Sequence, residues 1–317
     1  LVVAALASCG VGVCGGGPAF TNLQVTRAVD ASGHVVRMAA QVAAFSHVNG
    51  ASAYEIAMPS TQASGVAALA VQDRDGNKLV VAPMECAEAD ASRGGSRGGT
   101  TATPAGWCTW RVALARAVDE GQVVELIVSA ALPHALRPHP AEVAQNDPHL
   151  VLLKGDHFFT SPYATERQQT RMRLATDRLE SIWAATAEPR NAAVHGDAVV
   201  IGPFERIEAF ETSPMEVHFE TDAPFVTVTR CEREIIVAPA SLWSPWSWLV
   251  GGAGVAIEEV YDVRNTGAAL RGGFSRLEYA SRGARGNSFR RLAAELPAAA
   301  RGVYYRDSIG NISTSTI

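Results

Sequence analysis

A mainly β fold, packed in antiparallel sandwich-like layers, is what this sequence predicts, and three observations carry it. Apolar residues alternate with polar ones over short runs, turn formers bound nearly every run, and no long stretch repeats its apolar positions with helical period. A parallel sheet with crossover helices needs those missing helical stretches, so the alternation favours antiparallel packing. At 317 residues the chain has room for two domains or one large β domain. A composition of 47% hydrophobic and 19% charged residues, with 28 Gly and 16 Pro, fits a turn-rich globular chain.

The elements follow in order. Residues 1–19, LVVAALASCGVGVCGGGPA, are small, apolar and uncharged, and they resemble a secretory signal lacking its beginning. Glycines from Gly10 to Gly17 break the run before it reaches spanning length. From Leu23 to Met58 the alternation predicts a hairpin turning at Ala31 to Gly33, although the alanines between Met38 and Ala44 would also suit a helix. Further strands are expected at Val66 to Gln72, Lys78 to Ala82, Trp107 to Leu114, Val123 to Ala131, Leu150 to Leu153 and Thr170 to Ala175. Met215 to Phe219, Phe225 to Thr229, Glu234 to Ala238 and Gly254 to Val263 complete the set. The pattern restarts after the turn-like TDAP at Thr221 to Pro224. This sets a first β domain over 20–222 and a second, incomplete one over 223–317.

Two segments read as insertions. Ala87 to Ala105 is Gly-rich and of low complexity. SLWSPWSWLVGG, Ser241 to Gly252, carries Trp243, Trp246 and Trp248, which suit either a ligand or membrane-interface patch or a buried loop. Of the five cysteines, Cys9 and Cys14 fall in the signal-like segment. Cys86 and Cys108 flank the low-complexity loop at a spacing that permits either a disulfide or two free thiols, and Cys231 is left over.

The charge balance, 27 basic against 32 acidic residues, argues against nucleic acid as a partner, because phosphate neutralisation needs clustered Lys and Arg. No catalytic constellation survives its context. GGSRG at Gly94 to Gly98 matches a nucleophile elbow by letter but lies in the low-complexity loop, and GVGVCG at Gly10 to Gly15 lies in the signal-like segment. His134, His139, His149 and His157 fall close together, yet without helical spacing or a nearby acidic set. Glu258 and Glu259 are adjacent in a strand and so face opposite ways, while Asp73 and Asp75 in QDRDGNK read as a hairpin turn. No catalytic, cofactor-binding or metal-ligating residue is assigned. Asn311-Ile312-Ser313 is a glycosylation sequon in a polar tail.

Four collinear blocks resemble the ribophorin I family: NLQVTRAVDASGHVVRMAAQV from Asn22, PHALRPHPAEVAQNDPHLVLLKGDHFFTSPY from Pro133, IGPFERIEAF from Ile201 with the following MEVHFETDAPFVTVTRCEREI, and the closing NTGAALRGGFSRLEY, ELPAAARGVYYRD and YYRDSIGNISTS. The resemblance implies β-rich luminal domains similar to the amino-terminal β domain of M1 aminopeptidases, within a non-catalytic oligosaccharyltransferase subunit that scaffolds the complex and presents substrates. It implies catalytic and accessory subunits, the translocon and nascent polypeptides as partners. It also implies endoplasmic reticulum membrane attachment through a later helix, and no cofactor. A secreted carbohydrate-binding module using the three tryptophans, and a hydrolase using His134 and His139, are the competing readings.

Overall fold

The computed structural model describes residues 18–87, 103–184, 192–222, 225–238, 254–282, 295–304, 306–307 and 310–311. In chain order the first elements are β1 (Phe20–Ala31), β2 (Val35–Ser46), β3 (Ala51–Pro59), the one-turn helix α1 (Ser60–Ala63), β4 (Ala68–Asp73), β5 (Lys78–Leu79), β6 (Glu85–Cys86), β7 (Trp107–Val118) and β8 (Val123–Pro133). There follow β9 (Leu136–Pro138), β10 (Glu142–Val143), β11 (Leu150–Asp156), β12 (Thr165–Leu174), β13 (Leu179–Ala184), β14 (Ala192–His195), β15 (Ala198–Ile207) and β16 (Pro214–Glu220). The remainder holds β17 (Val226–Ala238), β18 (Gly254–Asn265), β19 (Ala269–Leu270), a second short helix α2 (Arg276–Arg282), β20 (Arg306–Asp307) and β21 (Gly310–Asn311). The chain is mainly β, as the alternation predicts.

An eight-stranded sheet, ordered β14-β15-β12-β1-β2-β8-β4-β5, is the floor of the molecule. Its hairpin β1–β2 turns beyond Asp30, whose carboxylate accepts from the Ser32 amide at 3.0 Å and from the Ser32 hydroxyl at 2.6 Å. Residues 38–44 are strand rather than helix because Ala40, Val42 and Ala44 alternate into the core while Ala39 and Gln41 face out. Small side chains there leave helix propensity high, but burial on a period of two decides the outcome. Within this sheet one pairing departs from the antiparallel rule: β1 and β12 run parallel, with Arg27 opposite Thr170.

Two smaller sheets cover one face of this floor. The three-stranded sheet β3-β7-β6 closes a core of Phe20, Val25, Val42, Tyr54, Ile56, Trp110, Val112, Leu126, Val128 and Tyr163 against the β1, β2, β8 and β4 half. Phe20, Tyr54 and Tyr163 meet edge to face or tilted, with ring centroids 5.0–5.5 Å apart. The four-stranded sheet β13-β16-β11-β9 closes a second core of Val151, Leu153, Met172, Leu174, Ile201, Val217 and Phe219 against the β12 and β15 half. Each fully buried side chain of this size contributes roughly 1.5–3 kcal/mol, so both cores are substantial, and both lie within residues 19–225.

The later chain is built differently. β17 and β18 form a two-stranded ribbon paired from Val226 opposite Asn265 to Ala238 opposite Gly254, and the two short runs expected at Phe225 to Thr229 and Glu234 to Ala238 are one strand. A short parallel pairing, Glu142 opposite Ala269 and Val143 opposite Leu270, ties this region back to the β10 segment. Gln145 reinforces it with bonds to Ser275 of 2.9 Å and 2.7 Å.

Candidate functional site

Between the two cores, the segment Asp156 to Tyr163 carries the chain from β11 in the four-stranded sheet to β12 in the eight-stranded one. A chain crossing a protein interior brings main-chain carbonyls that need donors. Arg27, on the inward face of β1, supplies them. Its Nη2 donates to the Asp156 carbonyl at 2.6 Å and the His157 carbonyl at 2.8 Å, its Nη1 to the Phe158 carbonyl at 2.8 Å, and its Nε to Thr170 Oγ1 at 3.0 Å. The rigid five-donor fork of a guanidinium suits such a task, whereas a lysine would present one point charge.

The rest of the segment is held as tightly. Gln168 accepts from the Phe159 amide at 2.7 Å and donates to the His157 carbonyl at 2.6 Å. The Asp156 carboxylate accepts from the Phe158 amide at 2.8 Å and the Ser213 amide at 3.0 Å. Thr160 donates to the Ala57 carbonyl of β3 at 2.9 Å, and the Tyr163 hydroxyl accepts from the Glu55 amide at 3.2 Å. Asn22 closes the far end, donating to Ser161 Oγ at 3.0 Å and Thr165 Oγ1 at 3.1 Å while accepting from the Tyr54 hydroxyl at 2.8 Å. One segment is thereby bonded to all three sheets.

Burial governs the ionisation of this knot. Loss of solvation lowers the Arg27 pKa to about 10, with Asp156 pulling the other way, so the guanidinium stays charged near neutrality. Burial raises the Asp156 and Glu55 carboxyls above their ordinary values. The same cause lowers His157, whose Nδ1 lies 3.0 Å from the Ser213 carbonyl. Perturbed groups often mark catalysis, but here Arg27, Asp156 and His157 are bonded to main chain.

The residues singled out in the sequence are dispersed. His134 ends near β8 in a left-handed conformation with φ of 60°; His139 stacks on His218 with centroids 5.3 Å apart; His149 packs on Phe225; and His157 belongs to the knot. Among the described residues no group of three or more His, Cys, Asp or Glu is placed to hold a metal ion. Cys86 and Cys108 lie opposite each other in β6 and β7 and are joined as a disulfide, and Cys231 is an exposed free thiol. Asp73 caps its turn by accepting from the Asp75 and Asn77 amides at 3.0 Å and 2.9 Å. Glu258 and Glu259 diverge, one toward Arg306 at 2.8 Å and the other toward Arg233 at 2.5 Å. Asn311 sits in β21 opposite Arg306. Cys9, Cys14, Gly94 to Gly98 and the three clustered tryptophans lie outside the described residues.

Sequence reasoning overlooked Arg27, Asn22 and Gln168. A signal was present: TERQQTR from Thr165 is too polar for a strand with one apolar face, and Arg27 interrupts the inward face of β1. Polar residues at inward positions on two strands are the mark of a buried hydrogen-bonded network.

Removing the fork takes a donor from each of three buried carbonyls, of which that of His157 keeps Gln168. Arg27→Met is expected to cost about 3–5 kcal/mol, read as a lower denaturant midpoint at unchanged m-value, with Arg27→Lys intermediate; a loss below about 1 kcal/mol refutes the role. The lowered His157 pKa gives a pH dependence. The unfolded chain takes up that proton first as pH falls, so the neutral ring's contribution is complete above the ordinary value of 6.5 and is lost below it, through the lowered folded value. Asp156, raised by burial, acts in the opposite sense at lower pH. In a series of denaturation midpoints, His157→Gln is expected to flatten the decline that begins just below pH 6.5.

Comparison with known proteins places these segments in a family. A family profile described as Ribophorin I matches residues 20–317. Dolichyl-diphosphooligosaccharide--protein glycosyltransferase subunit 1A of Arabidopsis thaliana is 32% identical over 307 residues, covering 94% of this chain and 46% of that protein. Subunit 1 of Caenorhabditis elegans is 35% identical over 210 residues, covering 66% of this chain and 33% of that protein. The chain thus spans less than half the length of either relative. Among solved structures, an M1 zinc metallopeptidase from Deinococcus radiodurans aligns over 71% of this chain and 46% of its own, with 10% identity and a TM-score of 0.34. With the family profile covering nearly its whole length, and with the arginine of the first block bound into the crossing segment of the second, this chain belongs to the ribophorin I family.

Proposed function

We propose that this chain is a non-catalytic part of an oligosaccharyltransferase complex, supporting protein N-glycosylation in the endoplasmic reticulum by scaffolding and by presenting substrates. The family match over residues 20–317 carries the reading. The buried Arg27, Asp156 and His157 of the knot bond main chain, a role in architecture with which this reading agrees. Its partners are the catalytic and accessory subunits, the translocon and nascent polypeptides. The surface stands on the luminal side, with membrane attachment through a helix beyond this segment. Among the described residues no helix is long and apolar enough to cross a membrane.

The ribbon β17–β18 suits a protein engaged in contacts. Ile235 faces Ile257 and Val237 faces Val255 on adjacent rungs of one face, and all four are 55–70% exposed. Such a contiguous apolar face is costly in a free chain. The reading is tested by affinity purification of the full-length protein from microsomes: a catalytic oligosaccharyltransferase subunit is expected in the eluate, and its absence from a fully solubilised preparation overturns the assignment.

Luminal placement has its own test. We propose that the Cys86–Cys108 bond forms in an oxidising lumen and that Asn311 carries a glycan. Peptide N-glycosidase treatment is expected to increase gel mobility, an effect lost in Asn311→Gln. Cys86→Ser is expected to abolish the mobility difference between reduced and non-reduced samples. Unchanged gels in both cases place this surface outside the lumen.

A further inference from the structure

The face of the eight-stranded sheet opposite the two cores holds a groove whose shape follows from strand register. Two adjacent rows of outward side chains cross five strands. The first row runs Arg171, Ala28, Ala39, Ser129, Ala70, and the second Arg173, Asp30, Arg37, Ala131, Ala68, across β12, β1, β2, β8 and β4. The neighbouring row, Thr26, Gln41, Ile127 and Gln72, carries larger side chains and walls the groove on one side. Alanine and serine therefore form a trough of about 560 Å³ in a pleated surface. With strands roughly 4.8 Å apart, the trough is about 19 Å long, the length of a helix of about a dozen residues.

Its charges are uneven. Arg171 and Arg173 lie at the β12 end, and Arg37 stands on β2 at the middle of the trough. Asp30, between Arg173 and Arg37 across the strands, is held below the ordinary carboxylate range chiefly by its bonds to Ser32 and further by those two arginines. Arg173 is also paired with Asp197 at 3.4 Å. Three cations face two carboxylates, and the surplus lies where the trough begins. Ala28, Ala39, Ala68, Ala70 and Ser129 are all exposed. A small ligand is normally enclosed over most of its surface, and this trough is open along its length, so its shape suits a segment of polypeptide. Alanine is also a poor residue for an exposed strand face, but it lets another backbone approach closely.

We infer that this trough docks a segment of another subunit of the complex, with small or apolar side chains on the Ala28–Ala39–Ser129–Ala70 floor and a carboxylate at the Arg171 end. The inference rests on the proposed membership of that complex and adds a surface and a partner chemistry to it.

The test uses the full-length protein in microsomes, with a photo-crosslinking amino acid at position 39 or 70 and, as a control on the same face outside the trough, at position 43. Each sample is also assayed for co-purified catalytic subunit. Expected are adducts from 39 and 70 to one subunit, mapped by mass spectrometry to a segment containing Asp or Glu. Arg171→Glu is expected to reduce the adduct at least tenfold, with recovery when the partner's carboxylate is replaced by arginine. Ala39→Trp, which fills an exposed position, is expected to abolish the adduct at 70 while leaving the denaturation midpoint unchanged. Intact complex without adducts from 39 and 70, or adducts to lipid or to a second copy of this chain, overturns the docking site alone. Loss of the catalytic subunit from the unsubstituted sample overturns the proposed function instead.

Discussion

The fork of Arg27 is the contact on which the layered architecture depends. Three consecutive main-chain carbonyls, at Asp156, His157 and Phe158, accept from one guanidinium buried between two apolar cores. Each carbonyl left without a donor in that setting costs about 1–3 kcal/mol, a large share of the stability of an ordinary domain. The parallel pairing of β1 with β12 places Arg27 directly opposite Thr170, its fourth acceptor. A slip of one residue in that register would turn Arg27 to the outer face and take its donors from the crossing segment. The parallel pair of the large sheet and the buried charge are thus two sides of one constraint.

The family blocks converge on that constraint. TRAVD brings Arg27, GDHFFTSPY is the crossing segment, and IGPFERIEAF packs over it, with Phe204 5.3 Å from Phe158 and 5.8 Å from His157 between ring centroids. The Phe210 amide then donates to the Ser161 carbonyl at 2.8 Å. Gly202, with φ of 97°, sits where a Cβ would come to 3.0 Å from the Gln168 carbonyl, so a residue with a side chain is strained at the point where β15 meets the irregular part of β12. Segments far apart in sequence are recognisable together because they solve one packing problem, and recognisability of that kind marks architecture rather than chemistry.

Strand alternation was legible in several strands with one apolar face, though β13 and β15 were not read from it. Trp107 to Leu114 and Val123 to Ala131 fall within β7 and β8, and Gly254 to Val263 within β18. It failed where the inward face is polar: only the end of β12, from Thr170, carries an apolar period, because Thr165 and Gln168 point inward to serve the crossing segment. Met38 to Ala44 was ambiguous for a related reason, since alanine states no preference until a neighbouring layer buries one side of it. Parallel pairing between residues some 140 positions apart leaves no local trace at all. The dispersion of the four histidines follows from the same limit, for proximity in sequence places them on different elements with different partners.

The two halves of the chain divide their labour accordingly. In the first, polar side chains that enter the interior are tied to main chain, which fixes the sheets relative to each other, and the outer face of the large sheet carries a trough floored by small residues. In the second, Ile235, Val237, Val255 and Ile257 stay exposed on a two-stranded ribbon, a unit marginal on its own in water. Rigid floor and exposed ribbon are unlike surfaces, but both present apolar or small side chains where a free-standing protein would carry charge. Under the proposed membership of a complex, partners would complete the burial that the described fold leaves undone.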